Sequence, residues 1–103
     1  MSLAADGTTA IPLVGVMPAG ATVLSVKVNV TVADASAVLS VGKTGATASY
    51  MTTGDNDTQS AGLYIAECFV TEATETSLIA TVSGSTGVGA GSCVVIVTYQ
   101  VAQ

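Results

Sequence analysis

The side chains of this 103-residue chain that could do chemistry are few: Asp6, Asp34, Asp55, Asp57, Glu67, Glu72 and Glu75, with Lys27, Lys43, Cys68 and Cys93. There is no His and no Arg. Without an imidazole, neither cysteine has the usual base, so a nucleophile–base pair cannot be built from these residues. Catalysis would fall to carboxylates alone. Glu67, Glu72 and Glu75 lie near one another in sequence, but they read as solvated charges of turns and strand edges. No catalytic residue is assigned and no enzyme is expected.

Metal and cofactor chemistry fare no better. Cys68 and Cys93 lack metal-ligand spacing, and no His completes a site. They could form one disulfide, but two free, buried thiols are the favoured reading for a protein assembled in a cytosol. The glycines from Gly84 to Gly91 resemble a phosphate-cradling loop, yet no Lys follows and the flanks read as strands, so a hairpin connection is expected. Asp55-Asn56-Asp57-Thr58 places oxygens at alternating positions as calcium loops do. The closing bidentate Glu of such a loop is missing, and an ordinary polar loop is the preferred reading. No cofactor is expected.

The chain is half hydrophobic, yet aromatic residues make up only 4% and charged residues only 9%. An ordinary soluble domain carries roughly 25% charged residues. So neutral a surface favours burial inside an assembly. The net charge of −5, with two lysines as the only cations, argues against nucleic-acid binding, which needs clustered positive charge. No basic segment followed by a long apolar run opens the chain, and no stretch is long enough to span a bilayer. A cytosolic origin without membrane insertion is expected.

The elements that position these residues are strands. Over residues 22 to 32, Leu24, Val26, Val28, Val30 and Val32 alternate with Ser25, Lys27, Asn29 and Thr31, which predicts a strand with one buried face. Ahead of it, Pro12 marks residues 8 to 16 as an edge strand or extended arm. Ala37, Leu39 and Val41 predict the next strand, Ala48 to Thr52 a short one, and Thr53 to Gly62 an exposed loop. Further strands are expected over 62 to 70, over 76 to 83 with Leu78, Ala80 and Val82 on one face, and over 92 to 101. The last is apolar on both faces, which predicts a central or interface strand. Strands at roughly ten-residue spacing joined by Gly and Ser turns predict an all-β fold. It should be a single antiparallel β-sandwich, jelly-roll or Ig-like, of about seven to eight short strands. Residues 1 to 10 are expected as an N-terminal extended arm and 11 to 103 as the β-sandwich domain.

Thr9-Ala10-Ile11-Pro12-Leu13, Met17-Pro18-Ala19-Gly20-Ala21-Thr22-Val23-Leu24, Val38-Leu39-Ser40-Val41-Gly42 and Tyr50 together resemble small all-β virion structural proteins of tailed bacteriophages, of the capsid decoration or cement type. Gly84 to Gly91 and Val94-Val95-Ile96-Val97-Thr98-Tyr99 fit the same pattern. Met17 stands where Leu often precedes the Pro-Ala-Gly. The resemblance implies a structural protein that binds the major capsid protein and stabilises the shell, as a homo-oligomer with a trimer favoured, on the capsid surface of a virion assembled in the bacterial cytoplasm. It implies no active site. The segment through Ile11 is the candidate docking arm, with Leu3, Ile11 and Leu13 as its anchors. The alternative is a tail-fibre or head-fibre host-recognition module that uses the Thr53 to Gly62 loop, although the chain is poor in the aromatic platforms that bind sugars.

Overall fold

A computed structural model of the chain describes residues 8–84 and 91–101. Seven strands run through the described residues: β1 (Thr8–Met17), β2 (Thr22–Val32), β3 (Val38–Lys43), β4 (Ala46–Met51), β5 (Gly62–Thr71), β6 (Thr76–Ser83) and β7 (Ser92–Gln100). They form two antiparallel sheets, one of order β1-β6-β3-β4 and one of order β5-β2-β7. The fold is an all-β sandwich.

Its wiring keeps two pairings from the centre of an immunoglobulin-type sandwich, second strand with fifth and third with sixth. The outer strands differ: β1 lies beside β6, β7 beside β2, and β4 beside β3. Among the described strands, only β3 and β4 pair as neighbours in sequence. Their hairpin turns through Thr44-Gly45, where Gly45 at φ 85° supplies the left-handed conformation that a turn's second central position demands. Beside this turn, Gly42 is held to glycine by close approach, since a Cβ there would stand 2.2 Å from the Ala46 carbonyl oxygen. Pro12 falls on an edge, as a residue without an N–H should: β1 borders the four-stranded sheet, and its register with β6 shifts between Pro12 and Val16.

The core lies between the sheets and is built from small side chains. Val26, Val28 and Val30 of β2 face Leu39 and Val41 of β3 and Leu78, Ala80 and Val82 of β6, with Met17, Tyr50 and Met51 filling the ends. Alternation along β2 is interrupted. The register shifts between Val23 and Ser25 against both neighbouring strands, so Val23 is fully buried while Leu24 is only half-buried. A bulge moves the inward face from odd to even positions, which a strict period of two does not anticipate. A second shift, between Val30 and Val32 against β7, leaves Val32 exposed.

Candidate interaction surface

The two faces of β5 divide in the opposite sense to their size. Tyr64, Ala66, Cys68 and Val70 turn inward against the core, while Leu63, Ile65, Glu67 and Phe69 turn outward. On β7, Val95 and Val97 turn inward, and Val94 and Ile96 outward. β7 is therefore an edge strand rather than a central one, and its second apolar face points away from the sandwich.

The registers place these outward side chains in rows across the sheet. Leu63, Asn29 and Val94 form one row; Ile65, Lys27 and Ile96 the next; Glu67, Ser25 and Thr98 a third. Phe69, at 80% the most exposed large apolar residue among those described, stands beyond Glu67 on β5. Leu63, Ile65, Val94 and Ile96 are each about half exposed. Lys27 and Glu67 are the charges of this face, and neither side chain makes a hydrogen bond or ion pair among the described residues. Scattered apolar residues are ordinary on protein surfaces, but a contiguous sheet face of them marks a contact surface.

The carboxylates fall into different settings from the one expected. Glu67 and Glu75 are exposed, whereas Glu72 is buried just after β5. One carboxylate oxygen accepts the Tyr50 hydroxyl at 2.9 Å, and the other pairs with Lys43 Nζ at 2.5 Å. The Lys43 hydrogen bond, reinforced by Tyr50, holds the Glu72 carboxyl below the usual carboxylate range against the opposing effect of burial. Burial, then the neighbouring carboxylate, pushes the Tyr50 phenol well above its ordinary value. Lys43 also borders an open polar cleft with Thr44, Thr74, Glu75, Thr76 and Ser77, but its ammonium is turned to Glu72. The sequence offered no signal for the Glu72 pair, because Lys43 stands on another strand of the opposite sheet.

The Thr53 to Gly62 loop is less open than its composition suggests. Thr58 is buried, and its hydroxyl donates to the Ala37 carbonyl at 2.6 Å. Asn56 Nδ2 donates to the Leu39 carbonyl at 2.9 Å. Buried Asp34 completes the lacing: its carboxylate accepts the Ser36 and Ala37 amides, each at 3.0 Å, while its own amide donates to the Thr58 carbonyl. Asp55 accepts the Thr52 amide and hydroxyl, and Asp57 the Gln59 amide, so both serve local turns. Among the described residues, no group of three carboxylate or thiol side chains is gathered to hold a metal ion. Cys68 and Cys93 are not joined in a disulfide, and burial pushes both thiols up.

Leu3 lies outside the described residues. Residues 8 to 10 of the expected arm form the start of β1, where Thr8 pairs with Ser83. Ile11 also lies in β1, opposite Ala80, and Leu13 falls within the register shift that follows Pro12. Among the described residues, no helix is long and apolar enough to cross a membrane.

These features define an all-β sandwich with one apolar, outward-facing sheet. In comparison with known proteins, no family model, curated protein or solved structure matches the chain.

Proposed function

We propose that this chain is a non-catalytic structural protein of a bacteriophage virion, which decorates the capsid and stabilises it by binding the major capsid protein shell. The observation that carries this reading is the outward face of the β5-β2-β7 sheet, where Leu63, Ile65, Phe69, Val94 and Ile96 stand exposed together. Low charge and resemblance to small virion β-proteins support the same role. A decorating protein acts through many copies, so individually weak contacts add up over a symmetric lattice. In this reading the N-terminal segment reaches the shell through Leu3, while β1 anchors that segment to the sandwich.

The test is occupancy on empty heads assembled from the major capsid protein of the virion that carries the chain. The intact chain should saturate the heads and raise the temperature at which they disrupt. Removal of residues 1–7, which leaves β1 whole, should abolish occupancy without changing the chain's own unfolding temperature. Failure of the intact chain to bind refutes the decoration role, and full occupancy by the shortened chain refutes the arm.

A further inference from the structure

We infer that the outward face of the β5-β2-β7 sheet pairs with the same face of a second copy about a two-fold axis, with Lys27 of each copy set against Glu67 of the other. The inference rests on the reading of this chain as a packing module, and it names the occupant of the apolar face.

Charge placement is the first argument. On an otherwise neutral face, Lys27 lies opposite Ile65, and Glu67 lies one row further along β5, opposite Ser25. Lys27 and Glu67 therefore stand diagonally and are not engaged with each other. A two-fold axis lying in the plane of contact, midway between the two positions, exchanges them. One operation then makes two reciprocal ion pairs, as a self-complementary interface requires.

Phe69, Ile96 and Ile65 obey the same operation. With strands about 4.8 Å apart and a rise of about 3.3 Å per residue, the axis that exchanges Lys27 and Glu67 also carries Phe69 of one copy over Ile96 of the other. Ile65 falls beside the axis, against its own counterpart. The most exposed aromatic residue thus lands on the apolar edge of β7 instead of remaining in water.

Size sets the strength of the pair. That axis crosses the strands of the two copies at about 70°, so two three-strand faces about 14 Å wide overlap over about 200 Å², roughly a quarter of the ~800 Å² per partner in a standard stable interface. The contact is therefore a reversible one, in exchange with the single chain in dilute solution and reinforced where copies are held close together.

Sedimentation velocity on the full chain, from about 1 µM to about 500 µM, tests the pairing, since self-association must depend on concentration. The 10.0 kDa chain should convert into a species of twice that mass as concentration rises. Lys27→Glu and Glu67→Lys alone should each weaken pairing by about tenfold or more through like-charge contact, and the double exchange K27E/E67K should restore it to within about threefold. Phe69→Ser should also weaken it. All three positions are exposed, so unchanged thermal unfolding confirms that the variants fold. Indifference to the single charge changes, a three-copy species or a strict monomer overturns the inference. A monomer that still occupies heads removes the pairing and leaves decoration standing; a pair that behaves as described but never occupies heads does the reverse.

Discussion

Glu72 and Tyr50 meet across the sandwich, the Tyr50 hydroxyl donating at 2.9 Å to a carboxylate fixed at the end of β5. The Glu72 backbone is held as well, its amide donating to the Ala21 carbonyl and its carbonyl accepting from the Gly20 amide. With Lys43 on the second oxygen, one side chain ties β3, β4 and the exit of β5 together. Tyr50→Phe should therefore destabilise the chain by about 1–3 kcal/mol, because it removes a donor from a buried charged acceptor. Lys43→Met should fall toward the lower end of that range, since the lysine side chain is 33% exposed and water replaces part of its charge. Urea unfolding of the two variants and their double mutant checks this, and strict additivity would show that the three groups do not act as one unit.

The same carboxylate gives stability a pH dependence of known sign. Its folded value is depressed, chiefly by the Lys43 hydrogen bond, so in acid the unfolded chain takes up a proton before the folded one does. This contribution is present in full well above the ordinary Glu value of about 4.3 and is lost as pH falls through it toward the lower folded value. The urea midpoint should hold from neutral pH to about pH 5 and then decline, with a shallower decline in Glu72→Gln. Equal slopes for the two proteins would refute the assignment.

Asp34 and Thr58 fasten the polar loop to the start of β3 from opposite sides. Asp34→Ala strips the acceptor from two amides, and Thr58→Val leaves the buried Ala37 carbonyl without its 2.6 Å donor. Each should cost about 1–3 kcal/mol. A fall in denaturation midpoint at unchanged m-value would locate the loss in stability rather than in compactness.

Burial raises the pKa of both thiols, which lowers the thiolate fraction available to react. Cys93 is only 1% exposed and should react with a disulfide reagent near pH 8 only when the chain unfolds. Cys68, which is half-buried, should react first. Two equivalents released at once from the native protein would contradict both placements.

The alternation of small apolar residues made the strands legible, because a half-buried strand repeats every second position whatever its partners. It could not show where the repeat breaks. At Val23 to Ser25 the bulge arises from register against β5 and β7, which are distant in sequence, and it exchanges Leu24 for Val23 in the core. Nor could alternation decide which side of β5 is inside: Leu63, Ile65 and Phe69 are the more hydrophobic set, yet the core takes Tyr64, Ala66, Cys68 and Val70. For Glu72 the decisive partners lie on strands of the opposite sheet, so its burial was invisible, and the same holds for Thr58 beneath Ala37. Both faces of β7 did read as apolar, and Val94 and Ile96 do stand exposed on its outer face, but β7 borders its sheet instead of lying at the centre.

The strand order also governs when this chain can fold. β1, made before the other described strands, has β6 as its neighbour, and β2 needs both β5 and β7. Apart from the β3–β4 hairpin, no pair can close early, and such long-range closure is slow. During synthesis the valines of β2 must wait, uncovered, until β7 has been made, so crowding of nascent chains or premature chaperone release would favour aggregation over the sandwich.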